Sequence, residues 1–384
     1  MHGPRMTPTS NTADAQGAAD LGAGLRVLAI GACTPVGGNA RATAAAVRAG
    51  FCGFVEHDYL VDDAGEPMRV ARVASIDPEL QGPERLVALL APALDEVLID
   101  VRAAPQGRIG VAVALPPPRP GGPGAAPGQD PDAGPAAQTV RALCRARLGE
   151  RMGPFQAFPS GHAGGFQALE QARAWLRGGQ AEAVIVAGVD SYLAPLTLEW
   201  LEAEGQLHGA GLTNNAYGFV PGEAAGALLL ASAAVNSASA SGADPAWAEL
   251  LAVGLGRETR LNKSDGVCVG EGLTQALRHA LDEVATQGMI DNVVCDMNGE
   301  AYRADEYGFS GLRVRDRLRD PTDFLAPADC WGDVGAAGAP LHLLLAASAG
   351  RKGHAKGPLS LLWGSSDGGE RGAAVIRASV AQRT

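Results

Sequence analysis

One histidine stands apart by position. His162 lies in Pro159-Ser160-Gly161-His162-Ala163-Gly164-Gly165-Phe166, a tight turn feeding straight into a helix that closes at Gly178-Gly179. It is the only large polar side chain in a first turn otherwise built of alanine and glycine. Each glycine in a helix gives up about 1 kcal/mol relative to alanine. Two in succession predict that a second backbone, or a substrate, comes very close there. An imidazole so placed can serve as a general base or take up an acyl group. Cys295 and Cys330 could line one cavity with His162 and suggest a metal. The six cysteines are scattered singly, however, with no Cys-x-x-Cys pair and no close Cys/His cluster. Free buried thiols are common, so no metal site is expected. His208, His279, His342 and His354 carry no motif, and Tyr302, Arg303, Asp305 and Glu306 read as a solvated helix face.

The elements that must position these residues alternate between strand and helix. Residues 26–31 read as a short buried strand, 40–48 as a helix and 69–73 as an extended piece. Residues 83–99 form a helix, with Leu86, Leu89, Leu90, Leu94 and Leu98 near the 3.6 period. A strand over 109–115 follows. From 116 to 136 the composition collapses into Pro, Gly, Ala and Asp, which predicts a mobile loop dispensable for folding. The His162 helix and a buried strand over 183–191 come next, then a Gly-rich turn ending in a strand near 230 and a linker over 236–244. The second half reads as strand 248–255, helix 270–286, strand 292–296 and a charged helix 302–318. A second small-residue helix follows over about 334–349, then strands 359–363 and 373–376. The halves end alike, in Gly222-Glu223-Ala224-Ala225-Gly226-Ala227 and Gly369-Glu370-Arg371-Gly372-Ala373-Ala374. This predicts an internal duplication whose two bare helices, near 162–178 and 334–349, meet at a pseudo-twofold axis. The expected organisation is a disordered tail over 1–24, one half over 25–235 and the other over 245–380.

Composition limits the partners. At 384 residues the chain has room for one large or two medium domains with real cores. A net charge of −11 argues against nucleic acid and anionic membrane surfaces. No apolar run reaches the roughly 18–20 residues of a membrane span, and the first 24 residues lack the apolar core of a secretory signal. A cytoplasmic protein is expected.

Taken together, the motifs resemble the β-ketoacyl synthases of the thiolase superfamily over about residues 25–380. The resemblance rests on the opening Val27-Leu28-Ala29-Ile30-Gly31-Ala32-Cys33 and on His162 through Asp190, which align without a gap onto the nucleophile helix and following strand. It rests also on Gly218-Phe219-Val220-Pro221-Gly222-Glu223-Ala224-Ala225-Gly226, Asp296-Met297-Asn298-Gly299, Gly332-Asp333-Val334-Gly335-Ala336-Ala337-Gly338 and Ser366-Asp367-Gly368-Gly369. It implies a thiolase-like α/β fold, a duplicated α-β-α-β-α arrangement of five layers. It also implies acyl thioesters on acyl carrier protein or CoA as ligands, no cofactor, and a homodimer or a heterodimer with an active ketosynthase. Gly164, Gly165, Phe219, Asp367, Gly368 and Gly369 are the implied substrate-binding residues. The departures fall on the chemistry: His162, Asn298 and Asp333 stand where the family carries its Cys–His–His trio, and the usual lysine upstream of the second histidine is missing from Pro327-Ala328-Asp329-Cys330. Three readings stay open: a partner or acyl-binding homologue impaired in condensation, retained condensation, and hydrolysis or acyl transfer with His162 oriented by Asp333. In each, the three side chains are expected within hydrogen-bonding range or one water of one another, with His162 titrating above its usual value of about 6.5.

Overall fold

The computed structural model describes residues 24–101, 107–124, 128–209, 214–232, 246–262 and 266–379. The expected tail, apart from residue 24, and the linker 236–244 lie outside the described residues. The run Ala183–Ser191 is small and apolar up to Asp190, and it forms a strand, β6, that is buried throughout. Unbroken burial of this kind belongs to the middle of a sheet covered on both faces. β6 pairs in parallel with β4 (Ile109–Ala114) and antiparallel with β7 (Glu223–Ala231). β5 (Met152–Phe158) lies outside β4, and β1 (Leu25–Cys33) outside β7. The first half therefore runs β5-β4-β6-β7-β1. The second half repeats it as β10-β9-β11-β12-β8, with β8 Ala248–Arg257, β9 Asn292–Cys295, β10 Phe324–Leu325, β11 Leu359–Ser365 and β12 Glu370–Ala378. Corresponding pairs have the same sense, as where β11 is parallel to β9 and antiparallel to β12. Leu25–Val27 pair with Ala248–Leu250, so the halves join as one ten-stranded sheet. A small hairpin, β2 (Val55–Val61) with β3 (Pro67–Val70), stands apart.

Helices Gly82–Val101 and Pro135–Leu148 cover the outer face of the first half, with Leu89, Leu94 and Val140 against Val111 and Ile185. Helices Glu271–Glu283 and Ala301–Arg313 cover the second, with Leu277 and Tyr307 against Leu361 and Trp363. Between the halves lie two central helices, Gly164–Arg177 and Gly338–Arg351, sharing a core of Phe166, Leu169, Leu341, Leu344, Val184 and Leu362. This is the expected five-layer α-β-α-β-α duplication, and it gives the bare first turn its reason. A Cβ on Gly165 would lie 2.5 Å from Ala339 Cβ and 3.1 Å from Pro340 Cδ. The close neighbour is the second central helix. Gly165→Val should therefore lower the unfolding free energy by about 1–3 kcal/mol in a denaturant titration; an unchanged midpoint would mean that the two helices part without cost.

The stretch 116–136 corrects an expectation. Over 116–124 it is a strap, turning at 120–121, tied to the body: Thr197 Oγ1 donates to Pro120 O at 2.6 Å, and the Arg119 side chain is buried in an ion pair with Asp190. A 3₁₀ turn follows at Pro131–Ala133, and the helix begins at Pro135. That helix carries its own period in Ala136, Val140, Cys144 and Leu148, all buried. The Pro and Gly content masked a segment held by polar anchors through Arg119 and Pro120.

Candidate functional site

Three loops deliver the predicted trio. His162 sits in the 3₁₀ turn Gly161–Ala163, where Gly161 adopts φ +66°, a conformation favouring glycine. Gly161 N donates to Leu115 O, and Ala163 N to Ser366 Oγ at 2.8 Å. Asp333 follows the short helix Ala328–Trp331; its N–H donates to Val220 O at 2.7 Å and its carbonyl accepts from Gly222 N at 2.8 Å. The Gly218–Gly226 segment thus serves to seat Asp333. Asn298 lies in the loop after β9, where its Oδ1 accepts from Glu300 N.

The side chains meet. His162 Nε2 lies 2.8 Å from Asp333 Oδ1 and 3.0 Å from Oδ2. Asp333 Oδ1 also accepts from Gly335 N at 2.8 Å, two residues on, in the turn before the second central helix. Oδ2 accepts from Asn298 Nδ2 at 2.7 Å, and the same amide nitrogen donates to Glu300 Oε2 at 3.0 Å. His162 and Asp333 are buried, and Asn298 is half-buried. Burial alone would push the His162 pKa down, but the Asp333 carboxylate outweighs it and the pKa is raised. For Asp333, burial is outweighed by His162, Arg303 and the Gly335 N–H, and its pKa is held well below the carboxylate range. Nδ1 of His162 makes no hydrogen bond among the described residues.

Around this trio the structure adds residues that sequence reading missed. Arg303 and Glu306, expected on a solvated face, are buried, while Asp305 is exposed as expected. Arg303 donates to Glu300 Oε2, Asp296 Oδ2 and Ser365 O at 2.7–3.1 Å. Glu306 accepts from Arg371 and Ser365 Oγ. The (i, i+3) spacing of Glu300, Arg303 and Glu306 on one helix face was the signal available. His342 lines the cleft with His162, Cys295, Asp296, Asn298 and Asp333. Burial and the neighbouring His162 push its pKa down to about 3, and its Nδ1 has no hydrogen-bond partner. The cavity among these groups measures about 20 Å³, room for roughly one water. Cys330 is not among its lining residues. Glu258, Cys268 and Glu306 bring three ligand-type atoms within 4.8 Å of one another, but both carboxylates are already engaged by Arg371, Ser365 and backbone N–H groups.

The expected substrate-binding residues divide. Gly164 packs on Phe158 O and Ala114, Gly165 packs on Ala339, and Phe219 lies in a separate core edge-on to Tyr192. None of the three is among the residues lining the small cavity. Asp367, Gly368 and Gly369 form the turn between β11 and β12. Asp367 is exposed there, accepts from Tyr302 Oη and lies 3.6 Å from Arg303.

The family model of the β-ketoacyl synthase N-terminal domain matches residues 131–236. The structure of a type II polyketide synthase acyl-carrier protein in complex with its ketosynthase aligns over 93% of this chain and 99% of that one, at 15% identity and a TM-score of 0.74. The chain has the thiolase-like fold of these ketosynthases and is similar to the β-ketoacyl synthase N-terminal domain over 131–236. The ishigamide ketosynthase/chain length factor aligns over 92% of it and 99% of its own length, at 21% identity and a TM-score of 0.65. A ketosynthase from module 6 of the bacillaene synthase of Bacillus subtilis 168 aligns over 93% and 72%, at 14% identity and a TM-score of 0.74. No curated protein is significantly similar in sequence. Among the described residues no helix is long and apolar enough to cross a membrane.

The cleft holds an imidazole–carboxylate pair. Its one lining thiol, Cys295, has a pKa pushed far up by burial, so it is not a thiolate near neutrality. Asn298 directs its amide nitrogen at two carboxylates, Asp333 and Glu300, and Asp333 is itself an anion. The imidazole held by Asp333 through Nε2 has the orientation of a base, and its pKa is raised where that of the neighbouring His342 is lowered.

Proposed function

We propose that this ketosynthase-like chain does not condense acyl groups and acts beside a cysteine-bearing ketosynthase in cytoplasmic polyketide- or fatty-acid-type metabolism. Its ligands in that role are acyl thioesters on acyl carrier protein or CoA. The observation that carries the reading is the Asp333 carboxylate at the centre of the site. It binds His162 and Asn298 at once, so the nucleophile position holds a tethered imidazole and the two positions facing a thioester oxygen hold an occupied amide and an anion. An oxyanion needs free donors aimed at it. The shared architecture with a ketosynthase/chain length factor supports a place beside an active ketosynthase, and the acyl-carrier protein complex supports a carrier-bound ligand. A second reading is favoured by the unpaired Nδ1: His162 as a base, oriented by Asp333, drawing a proton from water to hydrolyse a thioester.

Co-expression with a cysteine-bearing ketosynthase, followed by light scattering of the purified material, is expected to give a mixed dimer. Intact mass after incubation with octanoyl-CoA is expected to show no acyl adduct. A stable adduct on His162, or 3-oxoacyl product from this chain alone, would overturn the proposal. Free octanoate that disappears in His162→Asn would select the second reading.

A further inference from the structure

We propose that Cys52 and Cys330 are a redox-sensitive pair: under peroxide they close into a disulfide that clamps the segment seating Asp333 onto the first half of the fold, and a reducing thiol releases it. Neither residue lines the small cavity at His162, so the clamp works whatever that site binds.

The fold brings the two residues together from opposite halves of the chain. Cys52 follows the helix Ala40–Arg48, and Cys330 lies in the short helix Ala328–Trp331, just before Asp333. Gly53 N donates to Cys330 O at 2.8 Å. With standard backbone dimensions, that bond leaves the Cα atoms of Cys52 and Cys330 at most roughly 6.5 Å apart, inside the range of about 4.4–6.8 Å that disulfides span. The contact is close: a Cβ on Gly53 would lie 2.8 Å from Val36 Cγ1 and 3.4 Å from Cys330 O. The thiols also act on each other, since burial, then Asp329, then Cys52 raise the Cys330 pKa. From Cys330 the chain runs into the site. Asp333 N donates to Val220 O, and Gly222 N donates to Asp333 O. A bond at Cys330 therefore adds a covalent anchor to the segment from which Asp333 reaches His162.

Exposure assigns the roles. Cys52 alone of the six cysteines is exposed, and Cys330 is buried beside it. The Cys52 thiolate attacks one oxygen of hydrogen peroxide, the O–O bond breaks, and the departing hydroxide takes up a proton as water, leaving a sulfenic acid on Cys52. The Cys330 sulfur then attacks the Cys52 sulfur, the S–O bond breaks, and the Cys330 proton leaves with that hydroxide as a second water. Two thiols are oxidised and one peroxide is reduced to two waters. The buried thiols elsewhere compete poorly: burial pushes Cys33 up to about 11 and Cys144 up to about 12. Where thiols are kept reduced, such a bond forms only under oxidant and serves sensing rather than folding.

The full chain, reduced and then exposed to hydrogen peroxide, tests the clamp. Alkylation in denaturant and tryptic mapping are expected to find the Cys52 and Cys330 peptides joined, in protein that runs at single-chain mass on a non-reducing denaturing gel. Dithiothreitol should separate them. The midpoint of thermal unfolding is expected to rise by about 3 °C or more on oxidation and to return on reduction. Cys52→Ser, at an exposed position, should abolish both the link and the shift, and Cys268→Ser should keep both. Cys330→Ser should behave as Cys52→Ser does; should it fail to fold, Cys52→Ser and the wild-type map decide. Three results would overturn the clamp: Cys52 carried to a sulfinic acid with Cys330 still free, a Cys52 bond between two chains, or a joined pair with an unchanged midpoint.

Discussion

Asp333→Ala should lower the unfolding free energy by about 3–5 kcal/mol near pH 6, because it removes one partner of a buried pair and leaves the other. Asp333 accepts from His162 Nε2, Asn298 Nδ2 and the Gly335 N–H. Without it, the imidazole and the Gly335 N–H lose their acceptor together, and the Asn298 amide loses one of two. The loss should depend on pH in a defined way. Asp333 is held well below its ordinary 3.8, so its contribution is complete above that value and lost as pH falls through its folded pKa. His162 is raised above 6.5, so its contribution is complete below that value and lost as pH rises through its folded pKa. The gap between wild type and variant is then widest from about pH 4 to 6.5. In Asp333→Asn the burial of His162 and the nearby Arg303 are opposed only by the weaker effect of Asp296, and the imidazole should titrate below 6.5. Denaturant titrations across pH and the His162 ring resonances check both. A gap that is flat from pH 4 to 9 would mean that the pair carries no charge in the folded state.

His162→Cys should leave condensation at background, although it restores the nucleophile that the family resemblance places there. The new thiol would sit against the Asp333 carboxylate, and an adjacent anion raises a thiol pKa rather than lowering it. The positions facing the thioester oxygen would still hold Asn298 and Asp333, and each missing oxyanion donor costs roughly 10²–10³ in rate. His162→Cys combined with Asn298→His and Asp333→His should exceed the single variant by at least about 10² in 3-oxoacyl formation from malonyl- and octanoyl-thioesters. A single His162→Cys variant that condenses would remove the ground for reading the chain as a non-condensing partner.

Much of the architecture was legible because local rules and fold agree. Ala183–Ser191 is apolar for most of its length and becomes a central strand. The leucines of Gly82–Val101 repeat at helical spacing and become an outer face. The two small-residue helices fall at matching places in the halves and pack on each other, where Gly165 meets Ala339. The meeting of His162, Asn298 and Asp333 was legible only through the family alignment, since they come from both halves of the chain.

What the sequence by itself determined was therefore the order of strands and helices, the duplication, and which side chains occupy the family's reactive positions. These follow from periodicity, glycine placement and aligned motifs, which are local. Tertiary structure alone decided the polar network. Arg303 and Glu306 look solvated in a charged helix, yet they are buried because β11 and the Asp296 loop pack over that face. Arg119 looks like part of a loose Pro/Gly loop, yet it reaches an anchor on Asp190, 71 residues away. His342 has no motif, yet it faces His162 across one small cavity. Charge pairing over long sequence separations has no period, so nothing in the chain announces it until the layers close and every buried charge must find its partner.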